Sequence, residues 1–311
     1  MVPDLASCLA QQVPVAFLRS TLKTYINNDQ DRVLSALNDA QCPPAYVTAV
    51  LRTLIQVSES NDVPVSETIA EAYANQLVMP HSSASDDEPT VVRYKLYTPP
   101  ECPIVASSTV LLREKPNILV SEGSTGHRTW EAALALADYI LRHDNSKAPS
   151  QVVELGAGTG LVGLVSATKY SSQVIVTDGD DQVVSCLKGN INLNSWAQPL
   201  VKAQPLVWGT DHAIVHHDQI VVCADVTYDD YIIPYLVSCL RDFLKTGSRY
   251  CLLSATVRDE STLNIFLGCC HDNRLKAELQ LTYSDPFDCQ FFIPPHSPDI
   301  RIYRLSIDNS N

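Results

Sequence analysis

The N-terminal part of the chain carries a helical pattern of apolar and polar positions. From Leu5 to about Met79 the apolar residues recur at intervals of three and four, and Pro43, Pro44 and Pro64 interrupt the pattern. The polar stretch HSSASDDEP that follows has no periodicity and ends in proline, which is typical of a linker. We therefore predict a helical N-terminal domain over residues 1–80, a linker over 81–89 and a second domain over 90–311.

After the linker the pattern changes to strands. Residues 91–97 alternate and residues 117–123 are β-rich, which predicts an extended, hairpin-like region before a helix that begins near Thr129. Apolar β-branched runs and amphipathic segments then alternate, as in a parallel sheet covered by helices on both faces. The predicted strands are 151–155, 173–177, 199–207, 219–225 and 250–256, and the predicted helices are 160–170, 181–194, 231–245 and 259–272.

The last two strand candidates, 275–283 and 299–307, have no helical pattern between them. We expect them to form an antiparallel hairpin that closes one edge of the sheet. The predicted fold class is therefore α/β: a Rossmann-like sheet of seven strands with an antiparallel terminal hairpin, preceded by a small helical N-terminal domain.

The charge and hydropathy of the chain exclude several classes of partner. The 311 residues include 22 basic and 35 acidic side chains, a net charge of -13 at pH 7. Such a surface repels phosphate backbones, so we expect no nucleic-acid partner and an attraction for basic ligands or basic proteins. No apolar run reaches the roughly 18 residues of a membrane helix, and the N-terminus lacks a secretory pattern. We expect no membrane partner and a cytoplasmic location.

A glycine-rich turn follows the first strand of the predicted sheet. Glu154 and Leu155 precede Gly156-Ala157-Gly158-Thr159-Gly160, which stands before a helix. Glycines at this place allow a tight strand-to-helix turn and let a ligand approach the backbone, so the turn is typical of a nucleotide-type cofactor site. The spacing of Gly158, Gly160 and Gly163 also fits G-x-G-x-x-G, which keeps a dinucleotide cofactor open.

Two acids beside this turn bear on the choice of cofactor. Asp178 ends the next strand, where its carboxylate can accept hydrogen bonds from the two ribose hydroxyls of an adenosine. Glu154 places a second carboxylate beside the turn, where it repels a pyrophosphate and attracts a cationic amino-acid headgroup. This charge pattern favours S-adenosylmethionine over a dinucleotide.

Asp225 and Tyr228 follow the strand candidate 219–225, at the same edge of the sheet as the turn. With E-L-G-x-G-x-G-L at the turn, the D-x-x-Y spacing resembles that of the seven-β-strand protein-lysine methyltransferases. Within that family, residues 121–134 (SEGSTGHRTWEAAL) resemble the members that act on elongation factor 2. The resemblance implies a class I methyltransferase sheet, S-adenosyl-L-methionine as cofactor, and a protein substrate, elongation factor 2.

The resemblance also assigns residues, position by position. It implies that the cofactor contacts lie at Trp130, Gly156, Ala157, Gly158, Asp178, Trp208 and Ala224, to which the charge and turn arguments add Glu154 and Gly160. It places Asp225 and Tyr228 beside the target lysine, as the catalytic residues. Val207 stands where the family often has an acid, so recognition of the adenine is expected to depend on stacking against Trp208.

The hypothesis is therefore a protein-lysine N-methyltransferase. A dinucleotide-dependent oxidoreductase, a non-catalytic adaptor that keeps the fold, and a methyltransferase for a small molecule remain as alternatives. The cluster of Asp211, His212, His216, His217 and Asp218 has metal-binding residue types but no known metal spacing, so we predict no metal site.

Overall fold

The computed structural model describes residues 4–78, 89–95, 109–115, 125–212, 216–285, 288, 289, 292 and 298–308. Helices fill its N-terminal part, which confirms the prediction for this segment: α1 (Leu5–Ala10), α2 (Val15–Lys23), α3 (Gln30–Asp39), α4 (Pro44–Glu59) and α5 (Glu67–Val78). Helix α4 begins at Pro44, a position where the N–H that proline lacks has no helical partner anyway. The buried residues Leu22, Leu37, Leu51 and Ile69 belong to one apolar core.

A two-stranded antiparallel sheet follows, formed by β1 (Thr90–Lys95) and β2 (Thr109–Glu114). The first strand matches the prediction at 91–97. Its partner strand is 109–114, where no strand was predicted. Residues 81–88 of the predicted linker and the predicted strand at 117–123 lie outside the described residues. The N-terminal helices contact this hairpin, since Arg93 Nη1 donates to the Ala40 carbonyl at 2.8 Å and Gln12 Nε2 to the Val91 carbonyl at 3.2 Å.

Two buried asparagines explain why β2 is stable at its position. Asn194 accepts the N–H of Leu111 at 2.9 Å and donates to the Leu111 carbonyl at 2.7 Å. One helical turn away, Asn190 accepts the N–H of Arg113 at 2.9 Å and donates to the carbonyl of Thr159 in the glycine-rich turn at 2.9 Å. These side-chain amides form hydrogen bonds with backbone N–H and C=O groups at the outer edge of β2, and they connect the β1–β2 hairpin to the glycine-rich turn.

Asn190→Ala should therefore lower the free energy of unfolding by about 2–3 kcal/mol, because it leaves the Arg113 N–H and the Thr159 carbonyl without this partner. Asn192→Ala is the matched control, since Asn192 lies on the same helix but is exposed, and should change stability by no more than about 0.5 kcal/mol. Urea unfolding followed by circular dichroism measures both. Equal shifts of the two variants would contradict this role of Asn190.

The main sheet has seven strands in the order β5-β4-β3-β6-β7-β9-β8. Strands β3 to β7 run parallel, while β9 is antiparallel to both β7 and β8, so the predicted terminal hairpin is confirmed. Strands β3 and β8 agree with the sequence prediction to the residue, and β5 is shorter than predicted. The strands are β3 (Gln151–Leu155), β4 (Gln173–Asp178), β5 (Val201–Pro205), β6 (Gln219–Ala224), β7 (Ser248–Thr256), β8 (Leu275–Tyr283) and β9 (Ile300–Ile307).

Helices cover both faces of this sheet, and the alternation of side chains along β3 shows how. Val152 packs in the apolar core that includes α6, α7 and α8, whereas Val153 and Leu155 pack in the core that includes α9 and α10. In the part of the chain that is described, no helix is both long and apolar enough to cross a bilayer. The helices are α6 (Glu131–Arg142), α7 (Leu161–Tyr170), α8 (Asp181–Leu193), α9 (Ile233–Lys245) and α10 (Glu260–Asp272), and a short 3₁₀ turn spans Ser195–Ala197.

The strand order creates one place where a ligand site is expected. Strand β3 lies between β4 and β6, and the chain winds away from β3 in opposite directions on its two sides. The carboxyl ends of the three strands therefore border a crevice at the switch point of the sheet, where open α/β sheets bind their ligands. Every site residue predicted above, except Trp130 and Trp208, lies at or directly after the end of one of these strands or at the start of α7.

Candidate active site

The glycine-rich turn needs its glycines for backbone conformation and for space. Gly156, Gly158 and Gly160 have φ angles of +63°, +53° and +88°, in the left-handed region that a side chain disfavours. A Cβ atom at Gly156 would lie 2.7 Å from Cγ1 of Val226, and one at Gly158 would lie 3.3 Å from the carbonyl oxygen of Gly126. The turn between β3 and α7 therefore exposes backbone without side chains, and neighbouring residues approach it closely.

Glu154, next to last in β3, is buried beside this turn. Its side chain accepts the N–H of Gly163 at 2.7 Å, in the first turn of α7, and the residue is only 2% exposed. Burial raises the pKa of this carboxyl to about 8, and the nearby Asp178 charge acts in the same direction. In the absence of a cationic partner, Glu154 is therefore mostly protonated at neutral pH.

Asp178 joins the end of β4 to the same turn. One carboxylate oxygen accepts the N–H of Gly158 at 3.1 Å and the other accepts the N–H of Asp180 at 3.2 Å. Burial raises the pKa of this side chain, while these backbone donors oppose the shift. The contacts fix the direction of the carboxylate at the tip of the strand, and each oxygen retains a further lone pair for a ligand.

Trp208 lies on the other side of the turn, in the loop after β5. Its six-membered ring approaches Gly156 so closely that a Cβ atom there would lie 3.3 Å from Cζ2. The indole N–H is buried and has no hydrogen-bond acceptor among the described residues. A buried donor without a partner is costly in a folded protein, and a bound ligand is one means of satisfying it.

Asp225 follows β6 directly and takes a left-handed conformation, with φ of +55°. Its first carboxylate oxygen accepts from the Thr256 N–H at 3.1 Å and from Arg258 at 3.2 Å. Its second oxygen accepts from the Thr256 hydroxyl at 3.2 Å and from Arg258 at 2.9 Å. All four lone-pair sites of the carboxylate are thus in use, two of them by a guanidinium that lies at the end of the adjacent strand.

Trp130 connects this ion pair to the start of α6. The guanidinium carbons of Arg128 and Arg258 lie 4.6 Å and 5.3 Å from the centre of its ring, within cation–π range. Glu131 lies within ion-pair distance of both arginines, at 2.7 Å and 3.5 Å. Asp225 and Glu131 therefore share Arg258 across the mouth of the crevice.

One cavity of about 730 Å³ contains nearly all of the predicted site residues. Trp130, Glu154, Gly156, Ala157, Gly158, Asp178, Trp208, Ala224, Asp225 and Tyr228 line it. Gly160 does not, because it faces α8, where a Cβ atom would lie 2.8 Å from Leu187; it contributes only to the shape of the turn. Tyr228 is 59% exposed and lies at the opening.

Arg258 and Glu131 were not predicted from the sequence as residues of the site. A signal for Arg258 was available, since it comes two residues after the end of β7, a parallel strand whose carboxyl end lies beside that of β6. Glu131 offered no signal by itself, because a first-turn acid is also the ordinary partner of a helix N-terminus.

The other candidate sites have structural explanations. Gly163 allows α7 to pack against the sheet, since a Cβ atom there would lie 2.3 Å from Val176, so the G-x-G-x-x-G spacing does not by itself demand a dinucleotide. Asp218 pairs with Arg249, and His216 lies 3.1 Å from the hydroxyl of Ser150. Across the described ranges of the chain, no group of three or more His, Cys, Asp and Glu side chains is placed to hold a metal ion.

The residues of this site lie in a part of the chain that is similar to known proteins. A family profile described as lysine methyltransferase matches residues 117–269. The chain is 37% identical over 224 residues to "Protein-lysine N-methyltransferase EFM3" of Saccharomyces cerevisiae, covering 63% of this chain and 65% of that protein. It is 28% identical over 246 residues to human "Protein-lysine N-methyltransferase EEF2KMT", covering 72% of this chain and 70% of that protein.

A solved structure, the "putative transferase PH0793" of Pyrococcus horikoshii, is 15% identical, with a TM-score of 0.45, over 77% of this chain and 83% of that one. The match to the yeast relative EFM3 spans 65% of that protein, slightly less than two thirds of its length. The matched profile contains the glycine-rich turn, Asp178 and the Asp225–Tyr228 motif that meet in the cavity. Over this region the chain is similar to the lysine methyltransferase family.

Proposed function

We propose that this chain is an S-adenosylmethionine-dependent protein-lysine N-methyltransferase and that elongation factor 2 is its substrate. The observation that carries the proposal is the cavity that brings the glycine-rich turn and Asp178 together with Asp225 and Tyr228. A cofactor and an acceptor side chain can meet there. The names of the yeast and human relatives support a protein lysine as the acceptor, and the resemblance of residues 121–134 supports elongation factor 2.

The residues of the cavity fit the proposed cofactor. The glycine-rich turn leaves space for a ligand against the backbone. The carboxylate of Asp178 can accept hydrogen bonds from ribose hydroxyls. The buried indole N–H of Trp208 has no acceptor among the described residues, so a ligand can supply one. Glu154 can hold a cationic amino-acid headgroup near the turn. When bound, S-adenosylmethionine supplies an activated methyl group on a positively charged sulfur.

The raised pKa of Glu154 predicts a pH dependence of cofactor binding. A cationic headgroup stabilises the ionised carboxylate, whose pKa without ligand is about 8, so binding drives a proton off Glu154. The affinity for S-adenosylhomocysteine should therefore rise as the pH increases from about 6 to about 8, and then level off. Glu154→Gln should remove this rise, and calorimetric titration across the range measures it. An equal rise in the variant would assign the pH dependence to another group.

The acceptor side of the cavity must help a lysine lose its proton. A lysine with a pKa of about 10.4 is neutral in only about one in 2,500 molecules at pH 7. We propose that Asp225 orients the incoming ammonium, that Tyr228 packs against its stem, and that the proton leaves to water at the open mouth of the cavity. The remaining contribution is alignment of the amine with the methyl group.

The ion pair of Asp225 sets a condition on this step. An ammonium that contacts Asp225 must replace one of its four donors. Arg258 is the donor that can leave, because its side chain is 43% exposed and already has a second acid partner in Glu131, whereas Thr256 donates from the backbone of β7 and its own hydroxyl. We propose that Arg258 holds the Asp225 carboxylate in place in the free protein. When the substrate binds, Arg258 gives up a hydrogen bond to this carboxylate, and the lysine ammonium takes its place.

We also propose the domain division at 1–80, 81–89 and 90–311, with the N-terminal helices helping to dock a large protein substrate. Two observations support this proposal. The N-terminal helices have an apolar core of their own, and they contact the β1–β2 hairpin. A cytoplasmic location accords with the described cysteines, all of which are free thiols, as in a reducing compartment.

Two measurements test the proposed function. Calorimetry with S-adenosylhomocysteine and with a reduced nicotinamide dinucleotide should show binding of the first alone; binding of the second alone would favour an oxidoreductase. Incubation with methyl-labelled S-adenosylmethionine and an extract of cells that lack the protein should then label the band of elongation factor 2. Label on small molecules alone would contradict a protein substrate.

A further inference from the structure

Three tyrosines stand exposed at the opening of the cavity. Tyr228, Tyr231 and Tyr235, here named the tyrosine rim, are 59%, 76% and 45% exposed, and all three line the cavity. The rings of Tyr231 and Tyr235 lie 6.2 Å apart between centroids. Large apolar side chains that remain exposed together, beside a functional cavity, mark a surface that a partner covers.

The tyrosine rim has a defined backbone and a supporting surface. The carboxylate of Asp229 accepts the N–H of Tyr231 at 2.9 Å, and its carbonyl accepts the N–H of Ile232 at 3.0 Å. Tyr235 lies in the first turn of α9, against Gly209 in the loop that also carries Trp208; a Cβ atom on Gly209 would lie 2.4 Å from the ring. Gly209 itself has a φ of +82°. The absence of a side chain at Gly209 therefore leaves room for the ring of Tyr235.

The charges around the rim favour a cationic partner. Among the described residues, and apart from the buried Glu154, four acidic residues line the cavity, Asp178, Asp180, Asp225 and Asp229, against two arginines, Arg128 and Arg258. Both arginines already form ion pairs with acids of the chain. Aromatic rings also attract Lys and Arg side chains directly, through their negative faces.

We propose that the tyrosine rim is the docking surface for the residues that flank the target lysine, and that those residues form a basic segment of the protein substrate. The inference rests on the proposed lysine methyltransferase function and extends it from the reacting amine to its neighbours. The lysine stem passes Tyr228 to reach Asp225, while flanking Lys or Arg side chains lie against Tyr231 and Tyr235. A single lysine carries little information, so contacts of this kind supply specificity.

A binding experiment that needs no catalysis tests the surface. The probe is a fluorescein-labelled peptide with one central lysine flanked by arginines, and the comparison peptide carries glutamates at the same positions. Fluorescence anisotropy should show binding of the arginine peptide but not of the glutamate peptide, and this binding should weaken as salt is added. The double variant Tyr231→Ala/Tyr235→Ala should bind it at least about tenfold more weakly, and Tyr231→Phe/Tyr235→Phe should restore most of the affinity.

The matched control is Ile265→Ala, since Ile265 is exposed to the same degree as Tyr235 (44% against 45%) but lies on α10, outside the cavity. It should leave peptide binding unchanged, and every variant should bind S-adenosylhomocysteine as the parent chain does. Failure of the parent chain to bind the arginine peptide, or equal binding by the double alanine variant, would overturn the proposed surface.

Methyl transfer separates this inference from the function on which it rests. With the protein substrate, the double alanine variant should show a raised KM at nearly unchanged kcat, because the rim contacts substrate away from the reacting atoms. If the parent chain methylates its substrate and the variant has the same KM, the docking surface is wrong and the function stands. If the parent chain binds the peptide through the rim but transfers no methyl group, the function is wrong and the rim is a binding surface for basic segments alone.

Discussion

Asp225→Asn should lower kcat/KM for methyl transfer by about 100-fold and leave the affinity for S-adenosylhomocysteine nearly unchanged. Asparagine keeps the shape of the side chain and tolerates the left-handed backbone of this position, where alanine adds strain. It removes the negative charge that pairs with Arg258 and that, in our proposal, orients the lysine ammonium. Arg258 can turn to water because it is half-exposed, so the fold should survive.

The control for this prediction is Asp230→Asn in the same loop, because Asp230 is exposed and does not line the cavity. It should retain the activity of the parent chain. Methyl transfer from labelled S-adenosylmethionine measures both variants, and thermal melting checks that they are folded. Full activity of Asp225→Asn, or loss of S-adenosylhomocysteine binding in parallel with activity, would contradict the role given to Asp225.

Asp178→Ala should weaken S-adenosylhomocysteine binding by at least about 100-fold. Two charge-assisted hydrogen bonds to ribose hydroxyls contribute about 1.5–3 kcal/mol each, and 1.4 kcal/mol corresponds to about a tenfold change in affinity. The variant also releases the Gly158 N–H, so the turn loses its tie to β4. Calorimetric titration measures the affinity directly.

The control for Asp178 is Asp181→Ala, an exposed acid three residues later in the first turn of α8 that does not line the cavity. Its affinity should stay within about twofold of the parent chain. The affinity of Asp178→Asn should lie between those of Asp178→Ala and Asp181→Ala, since the amide keeps one acceptor but loses the charge. Equal affinity for Asp178→Ala and the parent chain would place the ribose elsewhere in the cavity.

The sheet could be predicted from the sequence because its signals are local. A buried parallel strand such as β3 carries a short β-branched run, and helices of different periodicity separate it from its neighbours. The order of the elements then places the ends of β3, β4 and β6 at one edge, which is why the sequence alone assigns Asp178 and Asp225 to a common site.

The parts that escaped prediction depend on contacts between distant residues. Strand β2 has no strong pattern of its own, and it is fixed by Asn190 and Asn194, which are 77 and 83 residues further along the chain than their partners. The same holds for Arg258, whose importance comes from Asp225 and Trp130 and from no motif in its own segment. Periodicity cannot show which polar side chains meet in space.

Mass spectrometry of the protein substrate tests the central claim most directly. Purified elongation factor 2 from cells that lack this protein should be incubated with S-adenosylmethionine and either the parent chain or Asp225→Asn, then digested and mapped. We predict a methylated lysine after incubation with the parent chain and almost none with the variant. Lysines that remain unmodified although the parent chain binds the cofactor, or equal methylation by Asp225→Asn, would contradict the account.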